Sequence, residues 1–158
     1  MRDPEGFLQI DKEVVFRFIN SDSLSLSYLR KEFILNLVED NLLVPFKFVD
    51  RATLESPKIS FVSQPHEWCF EQLKDAGMHT LAISKRISIY KMELKDASAW
   101  NILFDGCAPI FCDHLSFQKT NSSYWWAMGQ FVRNFTLPLA IRSEEHTSEL
   151  QSQSTISY

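Results

Sequence analysis

Short β-type runs and helical patterns follow one another irregularly along this chain, and no regular β-α-β repeat can be built from them. Residues 7–19, FLQIDKEVVFRFI, contain two β-type runs around Asp11, Lys12 and Glu13, which predicts a β-hairpin. Polar residues that can cap a helix come next, and we expect a helix from there to about Asn41. Its core-facing residues recur at helical spacing: Leu26, Leu29, Phe33, Leu37 and Val38.

The rest of the chain predicts short strands, one long helix and a second hairpin. Strands are predicted at 46–49 and 58–62, and a helix from Pro65 to about Tyr90. The second hairpin consists of strands at Ile102–Phe104 and near Ile110–Phe111, with a turn at Asp105-Gly106. A last helix is capped by Ser122 or Ser123 and ends before Pro138. This order predicts an α+β fold made of an N-terminal hairpin and helix, a small sheet, a long helix, a β-hairpin and a C-terminal helix.

Composition and charge exclude several classes of function. The chain has 16 Lys+Arg against 20 Asp+Glu, a formal net charge of −4, and no basic run longer than a pair, so no nucleic-acid footprint is visible. No stretch approaches the roughly 20 apolar residues of a membrane span, and the start, MRDPEGF, lacks the apolar segment of an export signal. Three cysteines without a CxxC pair indicate reduced thiols. We therefore expect a cytoplasmic protein without a nucleic-acid or membrane partner.

The segment from Lys95 to Asp113 carries the strongest signal for chemistry. Asn101 follows Asp96 after four intervening residues, and Asp113 lies twelve residues further on, beyond the predicted hairpin. A carboxylate at Asp96 can accept the proton of an attacking hydroxyl, and the oxygens of Asn101 and Asp113 are ligands suited to Mg²⁺. The spacing resembles the catalytic loop and metal-binding aspartate of protein kinases and aminoglycoside-phosphotransferase-type enzymes. This resemblance implies Asp96 as the catalytic residue, Asn101 and Asp113 as metal ligands, and a reduced protein-kinase-like architecture.

The chain departs from that motif in several places. Leu94 and Lys95 stand where the motif has His and Arg or Gly, and the pair His114-Leu115 stands where it has Phe-Gly. The glycines are too scattered to form a phosphate-binding loop: Gly6, Gly77, Gly106 and Gly129. A protein that keeps the catalytic-loop-like segment but lacks the phosphate-binding loop is therefore favoured over a working kinase.

A structural interpretation of the same residues stays open. Asp96 can cap a turn, Asn101 can bond the loop backbone, and Asp113 can pair with a nearby lysine or cap the hairpin. Arg17 in the run VVFRFI, with Glu32 on the following helix, offers only a weak imitation of the lysine–glutamate pair of kinases.

The end of the chain, RSEEHTSELQSQSTISY, resembles translated sequencing-adapter DNA. On this interpretation residues 142–158 are a non-native, disordered tail, and residues 1–141 are the natural part of a longer, truncated protein. A natural tail rich in Ser, Glu and Gln is the alternative that composition allows.

Five pieces of the chain carry a second resemblance, namely RDPEGF, NLVEDNLLVP, PKISFVSQPHEWCFEQLKDAG, LKDASAWNILFDGCAPIFCDHLSF and WWAMGQFVRNFTLPLA. In order and spacing, residues 1–141 resemble the N-terminal region of bacterial class I S-adenosylmethionine-dependent methyltransferases of a nodulation-protein-related family. In such proteins this region precedes a Rossmann-like catalytic domain. The resemblance implies a methyltransferase parent that uses S-adenosylmethionine, with the catalytic domain missing from this chain. No cofactor-binding residue carries over, because no two glycines lie within twenty residues of each other.

Three functions follow as hypotheses. The first is an accessory region, inactive alone, for a missing C-terminal methyltransferase domain. It would position an unknown small-molecule substrate, or bind a nucleotide or metal through Asp96, Asn101 and Asp113. The second is a small-molecule phosphotransferase that uses Asp96, Asn101 and Asp113 with Mg²⁺ and ATP. The third is a non-catalytic interaction module.

Overall fold

The first element of the computed structural model, which describes residues 5–143, is the predicted N-terminal hairpin. Strand β1 (Gly6–Asp11) pairs antiparallel with strand β2 (Val14–Ile19) along its whole length. Lys12 takes a positive φ of 47° in the turn between them, which lets the chain reverse within two residues. The hairpin prediction is confirmed.

A four-stranded sheet is built onto this hairpin in the order β1-β2-β4-β3, where β3 is Lys47–Phe48 and β4 is Thr53–Pro57. The strand predicted at 46–49 is thus confirmed, but the one predicted at 58–62 is wrong. The strand in the structure is β4, which pairs with both β2 and β3 and whose Leu54 is completely buried. In the segment predicted at 58–62, by contrast, Phe61 is 77% exposed. Burial therefore selects Thr53–Pro57 for the sheet in place of 58–62.

The single helix predicted after the hairpin is also wrong, because the structure has two helices there. Helix α1 (Leu24–Tyr28) begins at a Ser23 cap, and helix α2 (Glu32–Glu39) begins after an extended residue, Lys31. The break lets the chain turn between two apolar clusters. Leu29 packs beneath the sheet, while the buried residues of α2 enter the main core: Phe33, Ile34 and Leu37.

The long helix is confirmed, with a corrected start. A 3₁₀ turn at Pro65–Glu67 comes first, and helix α3 runs over Phe70–Ser88. Gly77 lies inside α3, where a Cβ would come within 3.3 Å of the Cβ of Phe135. Glycine is therefore used here for the close approach of two helical segments.

Four short strands follow α3 and form two antiparallel pairs. The hairpin of β6 (Ile102–Asp105) and β7 (Ala108–Phe111) confirms the second predicted hairpin. Strand β5 (Met92–Leu94) pairs with β8 (Phe117–Lys119), and the sequence did not predict either. All three residues of β5 are buried, so β5 lacks the polar alternation by which a strand is recognised.

The last helix begins later and ends later than predicted. Ser122 accepts a hydrogen bond from the amide of Tyr124 and makes a turn, so the helix α4 begins only at Met128 (Met128–Phe131). A π turn at Val132–Thr136 follows, and helical structure continues through Pro138 to residue 143. The wider backbone of the π turn lies just before Pro138. The nitrogen of this proline has no hydrogen to donate to a carbonyl four residues back. The predicted tail begins at 142, so its first two residues are helical, and the others lie outside the described residues.

Together these elements make an α+β fold, as predicted. The main core lies between α2, α3 and the two strand pairs, and its largest fully buried side chains are Phe111, Phe117 and Phe135. A smaller cluster of Ile19, Leu29, Leu54 and Leu115 packs beneath the four-stranded sheet. The segment around residue 114 contributes to both clusters and so lies where the sheet meets the rest of the molecule.

A candidate ligand-binding cleft

The loop that carries Asp96 is fixed by a single serine from the other side of the β5–β8 pair. The amide of Asp96 donates to Ser116 Oγ at 3.1 Å, and the Ser116 hydroxyl donates to the carbonyl of Asp96 at 3.1 Å. The amide of Lys95 also donates to the Ser116 carbonyl, at 2.8 Å. Ser116 is almost completely buried, so its two hydrogen bonds with Asp96 are shielded from water.

The β6–β7 hairpin brings Asn101 next to Asp113. The amide of Cys112 donates to the Asn101 carbonyl at 2.8 Å, which places Asn101 across the hairpin from the residue before Asp113. The Ser116 amide in turn donates to the Asp113 carbonyl at 3.3 Å. Main-chain hydrogen bonds therefore hold Asn101 and Asp113 at one end of the hairpin, and the Ser116 side chain holds Asp96 there.

Both carboxylates already have hydrogen-bond partners in local turns. Asp96 Oδ1 accepts from the amide of Ser98 at 2.7 Å, and Asp113 Oδ1 accepts from the amide of Leu115 at 3.1 Å. These are the turn-capping contacts that the structural interpretation of the sequence expected. The roles of Asp96 as a base and of Asp113 as a metal ligand stay predictions.

Asp113 has a cationic partner that the sequence did not predict. The Arg17 guanidinium, on β2, lies 3.3 Å from Asp113 Oδ1, and the Arg17 side chain is only 12% exposed. Glu32, the partner considered from the sequence, is exposed on α2. The sequence feature that could have pointed to Arg17 is the alternation of side chains along β2, which places Arg17 on the same face as Val15 and the buried Ile19.

The amide side chain of Asn101 differs from the two carboxylates. Its Nδ2 atom is buried and has no hydrogen-bond partner, and a buried donor without a partner costs about 1–3 kcal/mol. The amide orientation is an assignment, so either its nitrogen or its oxygen can face this space. An unused polar group therefore lies just before the start of β6.

A magnesium ion at Asn101 and Asp113 would have to compete with the guanidinium of Arg17, which pairs with Asp113. In the part of the chain that the structure describes, no group of three or more His, Cys, Asp or Glu residues could hold a metal ion. A divalent cation at Asp113 would first have to displace Arg17, whose side chain is only 12% exposed. The metal-binding role of the two residues stays a prediction.

His114 is buried directly behind Asp113. Its Nε2–H donates to the Val44 carbonyl at 2.9 Å, and its ring packs edge-on against Phe46 with centroids 4.9 Å apart. Burial, helped by the nearby Arg17 charge, lowers the pKa of His114 to about 4, although the hydrogen bond to the Val44 carbonyl acts in the opposite direction. At neutral pH the imidazole is therefore uncharged, and its role is structural.

Cys112 also faces this region, in its protonated form. Burial raises the pKa of the Cys112 thiol to about 12, and the charge of Asp113 adds to the effect. Because the thiolate is the reactive species, Cys112 is not a nucleophile at neutral pH.

A cavity of about 290 Å³ lies between the four-stranded sheet and the β6–β7 hairpin. Arg17, Lys58, Cys112 and His114 contribute to its wall. Most of the wall is apolar, with the sheet on one side and the hairpin and its neighbours on the other: Leu8, Ile10, Val15, Val44, Val62 and Leu103. A partly enclosed apolar space with a few polar groups is the usual form of a small-molecule site. We call this cavity the cleft.

A second ion pair links the start of β1 to the Asp96 loop. Lys95 Nζ lies 2.6 Å from Glu5 Oε1 and donates to Ser25 Oγ at 3.1 Å. The Ser23 hydroxyl donates to Glu5 Oε2 at 2.7 Å. Burial alone would raise the pKa of Glu5, but the hydrogen bond from Lys95 and those from the serines hold it below its usual value. The start of β1, helix α1 and the Asp96 loop are therefore tied together.

Comparison with known proteins gives one distant relationship. No family model matches the chain. The chain is 28% identical over 155 residues to the nodulation protein NoeA of Rhizobium meliloti (strain 1021), and the match covers 90% of this chain. It covers only 32% of NoeA, so the chain spans about a third of that relative's length. Within residues 5–143, no helix has both the length and the apolar character needed to cross a membrane.

The described residues do not form a Rossmann-type site for S-adenosylmethionine. Such a site needs a parallel strand, a glycine turn and then a helix, whereas the named strands here all pair antiparallel. The glycines lie in a strand, inside a helix, in a hairpin turn and in the short α4: Gly6, Gly77, Gly106 and Gly129.

Proposed function

We propose that this chain is a ligand-binding accessory region of a methyltransferase-like protein, and that methyl transfer itself is carried out elsewhere in the longer protein. The distant relationship to NoeA, of which the chain matches about a third, supports a place within a larger protein. The resemblance of the quoted sequence pieces supports the methyltransferase class. Cytoplasmic location belongs to the same proposal.

One observation carries the binding role, namely the cleft between the sheet and the β6–β7 hairpin. Its wall is largely apolar, and two of its polar side chains, His114 and Arg17, are already oriented by a hydrogen bond and an ion pair. A site that is ordered before its ligand arrives loses little entropy when it binds. The cleft therefore suits a small substrate that is held for transfer to a second domain.

A screen for thermal stabilisation by small aromatic and aliphatic compounds tests the binding role. The matched variants are Leu103→Trp, which fills the cleft, and Leu81→Trp, which adds the same bulk at an exposed site on α3. We expect compounds that stabilise the native chain to stabilise Leu81→Trp equally and to lose their effect on Leu103→Trp. Equal stabilisation of both variants, or no stabilising compound, contradicts the binding role.

A calorimetric titration with S-adenosylmethionine tests the absence of methyltransferase function from this chain. We expect no measurable binding, because the described glycines form no cofactor turn. Saturable binding would mean that the chain has a cofactor site of another kind, and the accessory role would be wrong.

A small-molecule phosphotransferase is the second candidate function, since Asp96, Asn101 and Asp113 meet at one end of the hairpin. In this candidate Asp96 accepts the proton of the substrate hydroxyl, and Asn101 and Asp113 would hold Mg²⁺ that neutralises the nucleotide phosphates. ATP should then raise the melting temperature only when Mg²⁺ is present, and Asp113→Ala should abolish the rise. A chain that ATP leaves unchanged with or without Mg²⁺ excludes this candidate.

A further inference from the structure

The two edges of the four-stranded sheet differ in how they are protected. Strand β3 forms one edge, and it has only two residues, one of which is the charged Lys47. Short length and a lysine are usual features by which a sheet edge avoids pairing with another chain. Strand β1 forms the other edge, and its six residues carry no charge before Asp11. In the part of the chain that the structure describes, no strand pairs with the outer side of β1.

The main-chain groups of alternate β1 residues point away from the sheet. The Asn20 amide donates to the Glu5 carbonyl at 2.8 Å, so the main chain of Glu5 faces β2. Because this direction alternates along an antiparallel strand, the main chain of Gln9 also faces β2. The N–H and C=O groups of Leu8 and Ile10 therefore point outward, where they can bond a further extended strand.

The side chains along this edge are apolar and exposed. Phe7, Leu8 and Ile10 are 58%, 55% and 65% exposed. Leu8 and Ile10 lie on the face that lines the cleft, and Gln9 lies on the opposite face. An uncharged edge with exposed apolar side chains and outward main-chain groups is a surface to which another strand adds.

Strand β1 is complementary to a second copy of itself. In an antiparallel pair with Gln9 on a two-fold axis, Leu8 lies opposite Ile10 of the second copy, and the two glutamines lie opposite each other. The outward main-chain groups then bond one another, apolar side chains meet on one face, and the glutamine amides can hydrogen-bond on the other. An axis at Leu8 would instead place Asp11 opposite Glu5, and like charges directly opposite are destabilising. The register centred on Gln9 is therefore favoured.

We propose that two copies of this chain pair antiparallel through β1, with Gln9 on the two-fold axis, and join their four-stranded sheets into one. The axis that relates two antiparallel neighbours in a sheet is perpendicular to the sheet, so both clefts lie on the same face. Leu8 and Ile10 of the two copies then form one apolar strip between the clefts. This inference goes beyond the proposed function, because a monomer can also bind a ligand in its cleft.

Opposite charges at Gln9 test the pairing on the full chain by sedimentation equilibrium. Gln9 is exposed, so Gln9→Lys and Gln9→Glu change the edge and leave the hydrogen bonds of the hairpin in place. We expect the native chain to dimerise and each variant, which places like charges opposite each other, to dimerise about fivefold more weakly or worse. An equimolar mixture of the two variants places opposite charges across the axis and should dimerise at least as tightly as the native chain.

The matched control adds the same charges on α3. Met78 is 61% exposed, and Met78→Lys and Met78→Glu should leave dimerisation unchanged. A native chain that stays monomeric overturns the proposal, and so does a dimer that charges at Gln9 do not weaken. If both variants dimerise weakly and their mixture is no stronger, Gln9 is not on the axis, and the proposal also fails.

Amide hydrogen exchange of the native chain locates the interface. The N–H groups of Leu8 and Ile10 should exchange more slowly as the protein concentration rises, whereas that of Gln9, which already faces β2, should change less. A dimer that leaves the Leu8 and Ile10 amides unprotected has its interface elsewhere, and the proposal is wrong. Ligand binding that passes the Leu103→Trp test does not depend on these results, so the proposed function can stand if the pairing fails.

Discussion

His114 should make the folded chain sensitive to mild acid. Its ring is buried, faces Phe46 and the Arg17 charge, and donates to the Val44 carbonyl. In the unfolded chain the pKa of a histidine returns to its ordinary value of 6.5, whereas in the folded chain the pKa of His114 is lowered to about 4. As the pH falls below 6.5, the unfolded chain therefore takes up the proton first. The stability is complete above that value and is lost toward pH 4.

The size of the effect follows from the two pKa values. Each pKa unit corresponds to about 1.4 kcal/mol, so about 2 kcal/mol of the free energy of unfolding should be lost between pH 7 and pH 5. This is a large share of the roughly 5–15 kcal/mol that stabilises a typical domain. Other titrating groups, including His79, whose pKa is lowered by burial, add their own losses. A variant that removes only His114 separates its share.

Urea unfolding at pH 7 and pH 5 measures this share in the native chain, in His114→Gln and in His66→Gln. Glutamine at 114 keeps an N–H that can donate to the Val44 carbonyl but does not titrate. We expect the loss of stability on acidification to be about 2 kcal/mol smaller in His114→Gln than in the native chain. His66 is exposed, so His66→Gln should lose as much as the native chain. If His114→Gln also loses the native amount, burial of an uncharged His114 is not the cause, and the reasoning is refuted.

Two further predictions concern the glycines of the helices and the anchoring of the Asp96 loop, and both are checked by urea unfolding at pH 7. Gly129→Ala, in open space in α4, should stabilise the chain by up to about 1 kcal/mol, whereas Gly77→Ala should destabilise it, because the new Cβ would lie 3.3 Å from a side-chain atom of the fully buried Phe135. Stabilisation by both variants would contradict the close contact. Ser116→Ala should cost about 2 kcal/mol, because it removes the two hydrogen bonds that hold Asp96. A loss within about 0.5 kcal/mol would mean that the loop is held by other contacts.

The sequence predicted the parts of the fold that local signals determine. Turn residues between β-type runs predicted both hairpins, β1–β2 and β6–β7, and α3 lies within the helix predicted from Pro65 to about Tyr90. The pair of β5 and β8 was missed, because each strand has three residues and their pairing joins distant segments. The other two errors arose because a short stretch of sequence does not show which residues become buried. The strand lies at Thr53–Pro57 and not at 58–62, because Leu54 is enclosed there. The first helix is broken into two, which lets Leu29 pack beneath the sheet.

In the candidate site, too, local sequence predicted some features and contacts between distant segments determine the others. The positions of Asp96, Asn101 and Asp113 near one another follow from a loop and a hairpin, and local sequence predicted both. The contacts that determine their chemistry come from elsewhere in the chain. Ser116 reaches Asp96 across the β5–β8 pair, and Arg17 reaches Asp113 from the four-stranded sheet. Spacing can place three oxygen ligands together, but it cannot show which of them is already paired.

That pairing bears on the magnesium chemistry that the three residues could support. A magnesium-dependent transfer needs local negative charge, yet Asp113 is paired with Arg17, and Asn101 carries no charge. Asp96 Oδ1 accepts from the Ser98 amide, so this carboxylate also has a partner. A divalent cation at these residues would therefore have to compete with the guanidinium of Arg17 for Asp113, although the spacing of the three residues by itself predicts the metal.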